Sequence, residues 1–530
     1  MFCTGTYDGG PVLTPVLREP MQPPPSSSPI PRSLPTLTGL RRVGRARLRA
    51  AGAALAAAVL AACAVPTPAP PEVPFDLPSR FGAEGSTAYA SDERWWREFG
   101  DTQLDGFVED ALVGNPGLAQ AVARSRMAEA RARLARADQL PQLGLGAGSA
   151  RQRQNLSGLP ALADGSSTVY STAHDVSLDV SWELDLWGRL AAQSAAARAE
   201  FLASGEQLRA LRQSVAAQVV AAYYEIVHAR AQVGLSERTV DSLAEMARQI
   251  GNRVSVGIAS PSDGMLAEAN LESARAGLEQ RQEALARSLR ELDKLLGVYP
   301  DGQLQTARAL PAVPPVPPAG VPADLLARRP DVRAAELALL GAGYSLGAAQ
   351  RSFLPSLSLS GSGGFGGSEL GGLFSSGNLV WSIAGRILQP VFQGGRLVAQ
   401  VDIAEGQRDE ALHAYAETAL SALGEVETAL AVDAMLARRE TALGLSAGAA
   451  EEAVHVSFNR YRQGIDPFLT VLESQQRALD GRSAHISARW ARLQNRIALH
   501  LALGGGMAGE AWPGDPAPHA AHESAASNAP

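Results

Sequence analysis

One long block of this sequence is written twice. Gly188, Arg189 and Leu190 recur as Gly395, Arg396 and Leu397, an offset of 207 (395 − 188). The same offset carries Asn252, Arg253, Gly257 and Ile258 onto Asn459, Arg460, Gly464 and Ile465, and Leu292, Leu296 and Gly297 onto Leu499, Leu503 and Gly504. Upstream the offset is 214: Leu112, Pro116 and Ala121 match Leu326, Pro330 and Ala335, and Leu140, Pro141, Leu143 and Leu145 match Leu354, Pro355, Leu357 and Leu359. The second copy is therefore 7 residues shorter (214 − 207) in its middle. A duplication this long, with its length change confined to one place, predicts two copies of one structural unit.

Within each copy the hydrophobic period changes in the same order. Leu104 to Leu140 and Ala323 to Leu354 have helical spacing, interrupted at Asn115-Pro116 and Arg329-Pro330, where proline predicts a kink or a fresh helix start. After Pro141 the period falls to two. Val176, Leu178, Val180, Trp182, Leu184 and Leu186 alternate with Ser177, Asp179, Ser181, Glu183 and Asp185. Ser356 to Ser360 alternates likewise, and Leu379 to Phe392 does so more weakly. Strands with one apolar face have two readings: a soluble sheet packed on a second sheet, or a membrane barrel whose apolar face meets lipid. About four such strands are present, and a barrel needs at least about eight. One chain cannot close a barrel, whereas three would supply about twelve.

No proline occurs from Gly188 to Ser260 or from Val391 to Asp466. Leu208, Leu211, Val215, Val219, Ala222 and Ile226, then Val240, Leu243, Ala247, Ile250 and Val254, advance in steps of three and four, which predicts one sustained helical seam. A helix of about 70 residues rises roughly 105 Å, too long to bury in one compact domain. Gly257-Ile258-Ala259-Ser260-Pro261 and Gly464-Ile465-Asp466-Pro467 predict the reversal of each rod, glycine closing one helix and proline opening the next. The returning helices are expected over 262–296 and 468–503. Alanine-rich seams predict a wall of closely set helices rather than a thick bundle.

The domain expectation is an N-terminal extension with a signal peptide over 1–62, a linker over 63–94 and a first repeat over 95–299. That repeat holds a β-hairpin at about 141–187 and a helical hairpin at about 188–297. A proline-rich linker over 300–322 leads to a second repeat over 323–506, with hairpins at about 355–393 and 394–503. A low-complexity tail over 507–530 is expected to be disordered.

Arg41, Arg42, Arg45, Arg47 and Arg49 form a basic region, Ala50 to Leu60 an apolar one, and Leu60-Ala61-Ala62-Cys63 closes it with small residues. This resembles a bacterial lipoprotein signal, in which Cys63 becomes the lipidated first residue. An ordinary cleaved signal peptide with a chance cysteine is the alternative. Ala64 follows where inner-membrane retention would need Asp, so the expected destination is the outer membrane. Residues 1–40 fit no signal, and a translation start near Val43 would account for them. The only other cysteine, Cys3, would be removed with the signal.

The chemistry of the side chains excludes several classes. Formal net charge is −7, and the first 62 residues carry +5, leaving −12 on the remainder. That balance disfavours nucleic acid as a partner. The eight histidines form no HExxH and no Cys/His cluster, so no metal site is expected. Gly361 to Gly372 is glycine-rich without a following GxxxxGK, which reads as a strand-turn loop. No GxSxG elbow or Cys/His nucleophile pair occurs, and neither enzymatic activity nor a cofactor is expected.

Several segments carry a resemblance. They are Trp95-Trp96 with Phe99, Asp101 and Leu104; Ser181 to Leu190 (SWELDLWGRL); Asp324-Leu325-Leu326 with Arg329-Pro330-Asp331; Phe353 to Leu357; Phe392 to Arg396; Tyr461 to Glu473; and Ala502 to Gly506. In this order, over roughly Trp95 to Gly506, the chain resembles the outer-membrane factors of tripartite efflux pumps, the TolC/OprM type and its NodT-like lipoproteins. The resemblance implies a mainly α fold with membrane β: a homotrimer with a 12-stranded β-barrel in outer-membrane lipid, standing on an α-helical barrel across the periplasm. It implies a passive conduit for small toxic compounds, drugs or metals, working with a periplasmic adaptor and an inner-membrane RND-type pump. It places a periplasmic gate on Leu469 and Glu473, four residues apart on one helix face, beside helical tips at Gly257 and Gly464. Close relatives often have Asp where this chain has Glu473. Two other functions share these features: a lipid-anchored periplasmic helical scaffold, and a TolC-like duct for secreted proteins.

Overall fold

The computed structural model describes residues 75–82, 94–155 and 168–505. The expectations for Cys63, the signal segment and the 507–530 tail lie outside these residues.

The first repeat opens with a 3₁₀ turn, Trp95–Phe99, followed by α1 (Thr102–Gly114) and α2 (Pro116–Ala137). Strands β1 (Gln142–Asn155) and β2 (Thr168–Leu184) come next, then α3 (Arg189–Ser255) and α4 (Pro261–Leu296). The second repeat has the same order: α5 (Pro322–Arg328), α6 (Pro330–Arg351), β3 (Ser356–Gly367), β4 (Leu379–Leu388), α7 (Arg396–Arg462) and α8 (Phe468–Ala502). Both long helices, α3 and α7, contain 67 residues and stand at the 207 offset end to end. Each rises about 100 Å. The hairpin in which the offset changes is the shorter one, with strands of 12 and 10 residues against 14 and 17.

Local chemistry sets the breaks. Asp101 caps α1 by accepting from the Gln103 and Leu104 amides, and Asn115 caps α2 by accepting from Gly117 and Leu118 ahead of Pro116 at the first helical position. β2 stops at Leu184, two residues short of the sequence alternation. There Asp185 Oδ2 accepts from the Ala191 amide at 2.7 Å, and Trp187 Nε1 donates to the Pro355 carbonyl at 2.7 Å, turning the chain into α3. Proline at 390 likewise ends the ladder of β4 before Phe392.

The four strands form one antiparallel sheet in the order β1-β2-β3-β4. β2 and β3 join the repeats, with Val176 opposite Phe365 and Asp179 opposite Ser362. The outer edges of β1 and β4 have no partner strand among the described residues.

The largest core lies midway along the rods, where Trp95, Trp96, Leu104, Tyr223, Tyr224, Leu292 and Leu493 are buried together. Nearer the sheet, α3 packs through Ala192, Ala196, Ala199 and Ala203, all buried. Gly341 of α6 faces that stripe, where an added Cβ would sit in ordinary van der Waals contact, 3.5 Å from the Ala196 carbonyl and Ala199 Cβ. Small residues thus hold the helices close, as the alanine-rich seams predict. Among the described residues no helix is long and apolar enough to cross a membrane.

Candidate functional site

Two regions carry the chemistry: the faces of the sheet and the far ends of the helical hairpins. In the sheet, register fixes every side chain to one face or the other. One face presents Leu143, Leu145 and Ala147 of β1, Val176, Leu178, Val180, Trp182 and Leu184 of β2, Leu357, Leu359 and Phe365 of β3, and Leu379, Trp381, Ile383 and Ile387 of β4. The other face of β1 to β3 presents glutamine, glycine and alanine, then Asp175, Ser177, Asp179, Ser181 and Glu183, then Ser356, Ser358, Ser360 and Ser362. Nothing among the described residues covers the apolar face: Leu145, Trp381 and Ile383 are each more than 70% exposed. A soluble sandwich would bury that face, so the sheet is built for lipid on one side and water on the other.

At the opposite end, Gly257 (φ 76°) and Gly464 (φ 75°) adopt left-handed backbone that other residues resist. Each closes its helix with the same bonds: Ile258 N to Arg253 O at 2.8 Å, and Ile465 N to Arg460 O at 3.0 Å. Arg460 then grips Asp466 across the turn at 2.7 and 3.0 Å, and this holds the Asp466 carboxyl below the usual range.

The equivalent position in the first copy is Ala259, so Arg253 turns elsewhere. Its guanidinium lies 5.5 Å over the ring of Tyr461. The Tyr461 hydroxyl donates to Asp263 Oδ2 at 3.3 Å, and its ring packs on Phe468. Met246, Ile250, Ala267, Tyr461, Phe468 and Val471 form a small buried cluster binding the two hairpins together. Burial, with Asp263 alongside, raises the Tyr461 hydroxyl above its ordinary pKa.

Leu469 and Glu473 lie on the other side of α8. Leu469 is 57% exposed, and Glu473 makes a loose contact with Arg477 at 3.8 Å. They share a stripe with Gln476 and Asp480, opposite the buried Phe468 and Val471. Leu469 therefore does not pack in the helix seam.

Tyr461, Arg253 and Asp263 were not expected from the sequence to act together. Tyr461 stands where the first copy has Val254, and Asp263 where the second has Thr470, but most other positions of this turn differ as well, so the differences alone did not mark them. Among the described residues no cluster of His, Cys, Asp or Glu could hold a metal ion.

The sequence matches the outer membrane efflux protein family over residues 107–298 and 321–505. The chain belongs to this family. It is similar to outer membrane protein OprJ of Pseudomonas aeruginosa, 34% identical over 420 residues that span 78% of this chain and 86% of OprJ. It is also similar to the cation efflux system protein CusC of Escherichia coli strain CFT073, 31% identical over 78% of this chain and 88% of CusC. Its fold matches the open state of the Neisseria gonorrhoeae MtrE outer membrane channel with a TM-score of 0.71 and 30% identity, covering 84% of this chain and 98% of MtrE. This family member is thus an outer-membrane efflux channel whose sheet sits in the membrane and whose helices extend into the periplasm. Its two-faced sheet and its rods are the two parts such a channel needs.

Proposed function

We propose that the chain is the outer-membrane duct of a tripartite efflux pump, a homotrimer through which drugs or metal ions leave passively. The open, two-faced sheet carries this reading. Four strands with two free edges are too few to close a barrel, and three copies bring about twelve. Pairing β1 of one copy with β4 of the next would remove every edge and line the tube with serine, glycine and carboxylate. An inner-membrane RND-type pump would supply the energy and a periplasmic adaptor the docking. The cation efflux named for CusC, with the toluene and antibiotic efflux named for two Pseudomonas putida relatives, supports small toxic solutes as cargo.

The expected domain divisions and Cys63 lipidation stand as part of the proposal, with the acyl chains fixing the N-terminus to the outer membrane. The tips at Gly257 and Gly464 would face the adaptor. Leu469 and Glu473, exposed on one stripe of α8, would meet their copies across the axis and narrow the tube. The double variant Leu469→Ala, Glu473→Ala tests this in a planar bilayer. Raised single-channel conductance is expected, and unchanged conductance would remove the gate assignment.

A further inference from the structure

The outer end of the β1–β2 ladder carries two arginines on the face that is apolar lower down, with Ser149 and His174 between the two levels. Arg153 lies opposite Tyr170 in register, and Arg151 opposite Thr172. Both share the face of Leu143 and Leu145, an even number of residues away along β1, and so of Val176 and Leu178, which pair with Ala147 and Leu145. The guanidinium carbons of Arg151 and Arg153 stand 5.7 and 5.9 Å from the centroid of the Tyr170 ring. Tyr170 itself is 60% exposed. Among the described residues, no carboxylate of β1 or β2 lies on this face: Asp175, Asp179 and Glu183 all point to the other.

Height decides what these groups meet. From Leu184 to Val176 the strand climbs about 27 Å, or about 21 Å normal to the membrane at a tilt of about 40°. The Thr172–Arg151 level lies about 10 Å higher, so it clears an apolar band about 25 Å tall by about 5 Å. Arginine within the band would be costly, and arginine just above it meets headgroups. A tyrosine at that level belongs to the aromatic girdle, and here its ring also holds two guanidiniums side by side. Two fixed forks of N–H donors match the oxygens of a phosphate.

We propose that Arg151, Arg153 and Tyr170 form a binding site for a phosphate-bearing lipid of the outer leaflet. The site rests on the reading of the sheet as a membrane barrel. Its occupant is a lipid rather than free phosphate because the apolar face below it, through Ser149 and His174 to Val176 and Ala147, continues into the acyl region. Such a lipid would seat each copy at a fixed depth and orientation.

The test uses the full chain purified in detergent, with diphosphoryl lipid A, the same glycolipid stripped of phosphate, and inorganic phosphate as probes. Native mass spectrometry reads bound lipid. Diphosphoryl lipid A should bind, and Arg151→Gln with Arg153→Gln should weaken it by about tenfold or more. Tyr170→Phe should retain binding, and Tyr170→Leu should lose part of it. Equal binding by the double arginine variant, equal binding of the phosphate-free glycolipid, or full competition by inorganic phosphate would each overturn the site. Its failure is separable from failure of the barrel reading. A wild-type chain stripped from membranes by carbonate alone would refute both, whereas a detergent-requiring, heat-modifiable assembly without lipid selectivity refutes only the site.

Discussion

The Tyr461 hydroxyl donates to Asp263 Oδ2 across 3.3 Å, tying the second helical hairpin to the first over 198 residues of sequence. With Arg253 above the same ring, it is the main polar link at the tips. Tyr461→Phe removes the hydrogen bond, worth about 1 kcal/mol, and keeps the ring on Phe468. Single-channel conductance should rise, though less than for the Leu469 and Glu473 double variant. Conductance equal to wild type would show that this link does not hold the tip closed.

His500 makes stability depend on pH. It is 2% exposed and stacked on Trp95 at 5.0 Å. Burial, then the nearby Arg496, pushes its pKa down to about 4. Glu98 Oε2, 3.6 Å away, pulls the other way, but the imidazole Nε2 makes no hydrogen bond and the apolar stack outweighs that carboxylate. Asp433 also faces this region but is held by Arg496 at 2.8 Å. Below pH about 6.5 the unfolded chain binds a proton that the folded chain refuses. Stability should therefore fall as pH drops from about 6.5 to about 4, by up to about 3 kcal/mol. His500→Phe keeps a stacked ring and removes the titration. Wild type should lose stability relative to His500→Phe as pH falls across that window, and parallel stability profiles would rule out His500.

Two glycines share a backbone and differ in their neighbours. Gly257 and Gly297 both have φ of 76°. A Cβ at Gly257 would meet nothing within 4 Å, whereas one at Gly297 would lie 2.2 Å from the Gly114 carbonyl oxygen. Gly257→Ala should cost about 1 kcal/mol from the left-handed backbone alone. Gly297→Ala should cost about 3 kcal/mol or more, because α1 and the end of α4 must separate. Equal thermal shifts for the two variants would mean that this contact relaxes freely.

The duplicated order of elements was legible because it depends on local signals. Pro116 and Pro330 start helices, Gly257 and Gly464 end them, and Val176 to Leu184 alternates. Contacts between the repeats were not legible. Gln232, 2% exposed in α3, donates to the Ser483 carbonyl at 3.1 Å and to Ser487 Oγ at 3.2 Å in α8, yet in sequence it is one more polar residue on a helix. Within the second repeat, the pairing of Arg496 in α8 with Asp433 in α7, across 63 residues, was equally unmarked. For the gate, spacing put Leu469 and Glu473 on one face, but what that face meets belongs to other copies of the chain. A single sequence has no pattern that records it.

Val180 and Ser181 are neighbours in β2 that point to opposite faces. Val180 lies opposite Leu143 and Gly361 near the middle of the apolar face, and Ser181 opposite Gln142 and Ser360 on the polar one. Val180→Arg places a guanidinium in hydrocarbon, at a cost of about 2–4 kcal/mol in each copy. Ser181→Arg places the same group in water inside the tube. The first variant should lose most of its heat-modifiable assembly on semi-native gels. The second should assemble like wild type and conduct less, because three added guanidiniums narrow the lumen and repel cations. Were the sheet a soluble sandwich, both variants would assemble or fail without reference to detergent, and neither would change conductance.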